Sequence, residues 1–309
     1  MPVHTVLLTG GTGFIGRHVL AGLLQRGYRV RCLVRRGSTH RLPQDKRVVP
    51  VEGNVLDGPS CCRAAEGVQA AIHLVGIIRE TGDQTFERVH VEGTHNVVAA
   101  CVAASVGRLV HMSAHGASPG SRAAYHRTKA AAEQLVAESS TAWTIFRPSV
   151  ILGADGEFLR QILALVRPMW RPVPVLGDGH YVLQPVGVEE VAEAIVRALE
   201  MPQAAGKIYT LAGPRAVTFD EFLDTLSRVA CGRRRAKLHL PWAMVGPLVA
   251  VAERLLSNPP ITSEQLVMLR EAMAADTSAA ESDLAWRGEP LEELLRRIVT
   301  KEEVHASAR

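Results

Sequence analysis

Tyr125 and Lys129 stand four residues apart in Tyr125-His126-Arg127-Thr128-Lys129, a spacing that puts both side chains on one face of a helix. An ammonium beside a phenol favours the phenolate, so the pair predicts a Tyr125 pKa below its ordinary value of about 10. Such a phenol can exchange a proton with a carbonyl or alcohol oxygen while hydride moves. Ser113 lies twelve residues before Tyr125, at the end of a strand-like run, where its hydroxyl could hold the same oxygen. A strand-end turn residue is the plainer reading of Ser113. The chain has four tyrosines and five lysines, so the Tyr/Lys spacing alone is only suggestive.

The second signal is Thr9-Gly10-Gly11-Thr12-Gly13-Phe14-Ile15-Gly16, which follows the first strand-like run and opens a helical one. Gly10, Gly13 and Gly16 let the backbone turn tightly, approach a pyrophosphate and pack helix on strand, while the helix N-terminus offers N–H groups to the anion. The plainer reading is a tight turn, but the flanking strand and helix meet the context that dinucleotide binding requires. About twenty residues on, the second strand runs into Arg35 and Arg36 with no acid beside them. An acid there would accept from a ribose 2′-OH; two arginines suit a 2′-phosphate. NADP(H) is therefore the expected cofactor and NAD(H) the lesser alternative.

These residues need a scaffold that brings strand ends together. Strand patterns at Thr5–Leu8, Tyr28–Val34, Val48–Val51, Ala70–Val75, Arg108–Met112 and Ala142–Phe146 alternate with helical ones, as in Ile15, Val19, Leu20, Leu23 and Leu24. That rhythm predicts an α/β fold, a doubly wound parallel (Rossmann) sheet. After Pro148 the pattern changes to helices at Val188–Glu200, Asp220–Val229, Trp242–Leu256, Ser263–Met273 and Leu291–Val299, with short strands at Val173–Leu176 and Lys207–Leu211. We expect a dinucleotide-binding domain over 1–150. Residues 151–309 would form a smaller, mostly helical substrate or partner lobe, completed against the sheet edge. A net charge of +4 and 47% hydrophobic residues fit an ordinary globular chain, exclude long disorder and argue against nucleic acid as partner.

The glycine motif, Ser113 and the Tyr125/Lys129 pair resemble the short-chain dehydrogenases/reductases. Finer text narrows this: His73-Leu-Val-Gly-Ile-Ile, Val89-His-Val-Glu-Gly-Thr, Val110-His-Met-Ser-Ala, Arg147-Pro-Ser-Val-Ile-Leu-Gly, Gln184-Pro-Val and Pro259-Pro-Ile-Thr. These are similar to the atypical branch that holds the nucleotide-binding accessory subunit of respiratory complex I and its bacterial relatives, over nearly the whole chain. The resemblance implies that Thr12, Gly13, Phe14 and Ile15 contact the pyrophosphate and that Arg35 and Arg36 meet the 2′-phosphate. It also puts Asn54 and Val55 beside the adenine, and Leu74, Val75 and Gly76 along the ribose. Tyr125 and Lys129 would grip the nicotinamide ribose, with Pro148 near the carboxamide. Two departures stand out: Gly53-Asn54 replaces the usual Gly-Asp, and His90 occupies the place of the asparagine that completes the catalytic tetrad in other branches.

We expect from this an NADP(H)-dependent oxidoreductase for an apolar carbonyl or quinone-like substrate, with Tyr125 as acid/base, Lys129 tuning it and Ser113 positioning the oxygen. A non-catalytic NADPH-binding accessory or assembly protein of a respiratory or quinone-biosynthetic system is the alternative. A nucleotide-sugar epimerase or dehydratase is third, since a sugar diphosphate asks for more polar partners than the apolar C-terminal half offers. The histidines and cysteines show no metal-ligand spacing, and five cysteines without a C-x-x-C pair point to a reducing compartment. No signal-peptide pattern opens the chain, so a cytoplasmic protein is expected. The basic run Arg233-Arg234-Arg235-Ala236-Lys237 reads as a solvated turn. With the apolar Leu238–Leu256 behind it, the sharper reading is peripheral contact with the inner face of a membrane, or a border to a greasy substrate channel.

Overall fold

The computed structural model describes residues 4–256, 259–271 and 273–307, with side chains described as far as Glu302. The outermost ends of the two expected domains, and Ala272 of the expected Ser263–Met273 helix, lie outside those residues. The described chain forms two compact units. The first is built from 1–148, 188–211 and 277–286, the second from 149–187, 212–276 and 287–309.

In the first unit, strands β1 (Thr5–Thr9), β2 (Arg29–Val34), β3 (Val48–Glu52), β4 (Ala70–His73), β5 (Arg108–Met112) and β6 (Ala142–Pro148) join a seventh, Lys207–Leu211. All pair in parallel. Their order across the sheet is the seventh strand, β6, β5, β4, β1, β2, β3. The chain reverses direction across the sheet between β1 and β4, which is where doubly wound sheets bind ligands. Val6, Leu7 and Leu8 are all buried, as are Ala70, Ala71 and Ile72. Continuous apolar runs of this kind belong to strands covered on both faces. Helices α1 (Phe14–Gln25), α2 (Gly58–Ala65), α3 (Gly93–Ala103) and α4 (Ala124–Ala137) provide the cover, with Val188–Ala198 packed beside α1.

The expected boundaries differ from these in two respects. The Val188–Ala198 helix, the Lys207–Leu211 strand and a short helix at Ser278–Leu284 belong to the first unit, so it is not one contiguous stretch of 1–150. The reason is sheet completion: the seventh strand extends β6 in register from Lys207 against Thr144 to Leu211 against Pro148. The expected strand Ala70–Val75 stops at His73. Just beyond it, the main chain at Leu74 and Val75 runs 3.3 Å from where a Cβ on Gly10 would lie, so the glycine loop crosses those residues.

The second unit is mostly helical: Glu157–Val166, Phe219–Cys231, Trp242–Leu255, Ser263–Arg270 and Leu291–Ser307. Its strands pair only in short two-stranded ladders, such as Val173–Leu176 with Lys237–Leu240. One apolar core gathers Leu159, Leu163, Phe222, Leu226, Leu294 and Ile298; a smaller one holds Val245, Val249 and Leu266.

Candidate functional site

The loop from β1 to α1 is shaped by its glycines. Gly10 has φ +78°, a left-handed conformation that L side chains resist. A Cβ on Gly16 would lie 2.0 Å from the Gly10 carbonyl oxygen, so only glycine lets α1 start this close to the strand. Gly13 caps α1 with no side chain bonded to the end, and the Gly13 N–H donates back to the Gly10 carbonyl at 2.9 Å. The N–H groups of Phe14, Ile15 and Gly16 in the first turn therefore have no partner within the helix. Thr12, Phe14 and Ile15 are half-buried along this turn and Gly13 is exposed.

Arg35 and Arg36 follow β2 directly, are exposed, and make no ion pair or hydrogen bond through their guanidinium groups among the described residues. Asn54 turns after β3, its Oδ1 accepting from the Leu56 N–H at 3.2 Å and leaving its amide nitrogen free for an acceptor. Val55 is placed differently from its expected role. Its side chain belongs to the core that carries Cys61, Val97 and Cys101, and its carbonyl accepts from Asn96, so little of it can face an adenine. Leu74, Val75 and Gly76 leave the end of β4, with Gly76 exposed. Pro148 closes β6, buried, with its carbonyl accepting from His115 N–H at 2.9 Å.

Helix α4 carries Tyr125 and Lys129. Lys129 is 4% exposed, and its Nζ donates to the Met112 carbonyl at the end of β5, 3.0 Å away. That contact puts the ammonium one residue from Ser113. A Cβ on Gly76 would sit 3.0 Å from the same Nζ, so the expected ribose-lining glycine does border Lys129. One turn on, Glu133 is buried and grips Arg147 through two hydrogen bonds. Burial lowers the Lys129 pKa to about 8, partly offset by the Glu133 charge. Ser113 is buried, and its Oγ has no partner among the described residues.

The electrostatics of Tyr125 reverse the expectation. Burial pushes its pKa up to about 12, and the Lys129 ammonium, bonded to Met112, does not offset that. Tyr125 is instead boxed by aromatic rings: Phe86 at 5.8 Å, His90 at 5.4 Å and His126 at 5.4 Å, all edge-to-face. His90 lies in a π-helical turn, Glu87–Glu92, of the kind that often marks functional sites. His90 Nε2 lies 3.1 Å from the Ile77 amide nitrogen and 3.0 Å from the Ile77 carbonyl oxygen, and Nδ1 lies 2.9 Å from the Thr128 hydroxyl. Thr128 in turn donates to the Ala124 carbonyl on α4. His90 therefore ties the segment after β4 to the Tyr125/Lys129 helix.

Two histidines to which sequence reading assigned no role in the site, His73 and His111, lie close to Lys129. His73, the last residue of β4, and His111, one before the end of β5, are paired in register and stack with ring centroids 5.3 Å apart. His73 bonds the hydroxyls of Thr9 and Thr94, while both ring nitrogens of the buried His111 have no partner among the described residues. Burial, then the Lys129 charge, lowers His73 and His90 to about 3; His111 is likewise pushed well down. All three imidazoles are neutral at pH 7. Their signal was a histidine near the end of an otherwise apolar strand. Among the described residues, no group of three or more His, Cys, Asp and Glu side chains is arranged to hold a metal.

The model of the NAD dependent epimerase/dehydratase family matches residues 6–212. The chain belongs to that family. It falls in the atypical short-chain dehydrogenase/reductase branch that the sequence resembled. Over 94% of the chain and 82% of the relative, it is 28% identical to subunit 9 of the NADH dehydrogenase [ubiquinone] 1 alpha subcomplex of Dictyostelium discoideum. It is 29% identical to the 2-alkyl-3-oxoalkanoate reductase of Stenotrophomonas maltophilia, over 84% of this chain and 88% of that one. The fold matches UDP-glucuronic acid 4-epimerase of Bacillus cereus, solved with UDP-glucuronic acid and NAD, at TM-score 0.74 and 18% identity, covering 97% and 99% of the two chains. The family is NAD(P)-dependent.

Proposed function

We propose that this protein is an NADP(H)-dependent reductase of an apolar carbonyl compound, with Tyr125 as the proton donor. The single observation that carries the reading is the arrangement around Lys129, which brings together α4, the end of β5 at Ser113 and the Gly76 turn. The residues fit a dinucleotide: Gly10 and Gly16 let the loop pack tightly against α1, whose first-turn N–H groups have no partner within the helix, and Arg35 and Arg36 present unpaired guanidiniums. Such a pair favours a 2′-phosphate over a 2′-hydroxyl. A bound nicotinamide would supply the hydride.

The protein residues then divide the remaining work. Ser113 Oγ, buried and unpartnered, is available to hold a substrate oxygen. Tyr125 keeps its proton at any physiological pH, since burial holds it near 12. A protonated phenol is the form that can donate to a carbonyl oxygen as hydride arrives. Lys129 orders the region between α4 and the end of β5 through its bond to the Met112 carbonyl. The name of the 2-alkyl-3-oxoalkanoate reductase supports a carbonyl bearing an alkyl chain as the substrate class.

A second reading has a specific observation behind it. Similarity to a complex I subunit over 94% of this chain supports a nucleotide-holding role in a respiratory assembly, with no turnover required. Both readings fit a cytoplasmic protein facing a membrane system. Calorimetric titration with NADPH and NADH tests the cofactor assignment. We expect NADPH to bind at least tenfold more tightly, and Arg35→Ala with Arg36→Ala to remove that preference while leaving NADH affinity unchanged. Equal affinities in the wild-type protein would sink it.

A further inference from the structure

The Trp242–Leu255 helix packs Val245 and Val249 against Leu266 and leaves a second apolar stripe in the open. Met244, Leu248, Val251 and Leu255 are 53–77% exposed. Their spacing places them within about 60° of one another around the helix axis. Leu238 adds to the exposed set. It lies on the strand Lys237–Leu240, where alternation turns it away from Lys237 and His239, which pair with Asp220 and Asp224.

The charges sort themselves around this stripe. Arg254 falls beside it on the helix, whereas Glu253 falls on the far side and is used up by the Ser263 N–H and hydroxyl. Two residues before the same strand, Arg235 does not behave as a solvated turn residue. It is buried, and its guanidinium holds the carbonyls of Val166, Pro168 and Arg171. It thereby holds the 166–171 turn, in which Trp170 is 83% exposed, and Arg233 and Arg234, just before Arg235 in the chain, are exposed. Arg233, Arg234 and Arg254 have no acidic partner among the described residues.

We propose that this face of the second unit docks onto an anionic lipid bilayer, with the helix lying in the interfacial plane. Met244 to Leu255 spans about 16 Å, and no described helix is long and apolar enough to cross a membrane. A short apolar stripe alone binds a bilayer weakly; stable docking takes a second signal, and three free arginines with an interfacial tryptophan provide one. The same charges disfavour a second copy of this chain as the occupant, because a two-fold contact would oppose like charges. This surface goes beyond the nucleotide site and does not depend on what that site does.

The test is flotation of the full chain with vesicles of phosphatidylcholine alone or with 30 mol% phosphatidylglycerol, at low and high salt. We expect partition onto the anionic vesicles, weakened by salt, and little onto the neutral ones. Arg233→Ala with Arg234→Ala, both in an exposed turn, should lower partition about thirtyfold, from the contribution of two charges near an anionic surface. Leu248→Ser with Val251→Ser should abolish it. A protein that stays out of the floated fraction in every condition would overturn the proposal. So would flotation unchanged in both variants, or a concentration-dependent dimer that Leu248→Ser dissolves.

Discussion

Replacing Lys129 with Met should make the ligand-free protein more stable while weakening the site. Lys129 is almost fully buried, and burial holds its pKa at about 8 instead of 10.5. Below pH 8 the folded chain carries that desolvated charge at a cost of about 3 kcal/mol. Methionine removes the charge and fills similar space, at the loss of one hydrogen bond to the Met112 carbonyl, about 1 kcal/mol. The net gain at pH 7 is about 2 kcal/mol. Because the folded pKa is the lower one, the unfolded chain binds the extra proton between pH 8 and 10.5. Wild-type stability therefore climbs relative to the variant through that window, and the order inverts near its top. Urea unfolding followed by tryptophan fluorescence at pH 7, 9 and 10.5 reads the difference directly, and the ionisations common to both proteins cancel. NADPH affinity of the variant should fall at least tenfold. A variant that is less stable at pH 7, or a difference that does not change with pH, would refute the assignment of a costly buried ammonium.

The buried histidines make the opposite pH window informative. His73 and His90 titrate near 3 in the fold and near 6.5 unfolded, so stability falls as pH drops below 6.5. At pH 5.5 each of these, and His111 with them, costs about 1.4 kcal/mol relative to pH 7.5, so His90→Asn should remove about a third of the three rings' combined loss in urea unfolding measured at both values; stability insensitive to pH would show that these rings are not held neutral. Gly16→Ala puts a methyl group on the Gly10 carbonyl, and NADPH titration of that variant should show at least a tenfold loss. Unaltered affinity would mean the loop is free to relax.

Much of the doubly wound sheet was legible because its strands are continuous apolar runs separated by regular helices, and because the glycine loop demands a strand before it and a helix after. Other parts depend on contacts between distant residues. Lys207–Leu211 reads as a strand in isolation, but nothing local says that it pairs with β6 and completes the first unit's sheet. The Tyr125/Lys129 spacing was visible, yet the pKa direction of Tyr125 was not. Helical spacing brings the side chains onto one face, but it does not reveal that Met112 draws the ammonium down or that Phe86, His90 and His126 enclose the phenol. Arg235 teaches the same lesson. It stands in a basic triplet that reads as solvent-exposed, and only the fold shows three carbonyls converging on it.

Transfer of deuterium from (4-²H)NADPH tests the central claim most directly. The wild-type protein and Tyr125→Phe would each be incubated with a panel of long-chain 3-oxo acids, ketones and quinones, and the products weighed by mass spectrometry. The account predicts label on the former carbonyl carbon of at least one alkyl ketone, with turnover at least ~100-fold lower in Tyr125→Phe and NADPH affinity nearly unchanged. Labelled product formed equally fast without the phenol would contradict the role given to Tyr125. NADPH bound tightly yet left unoxidised by every member of the panel would contradict the reductase itself.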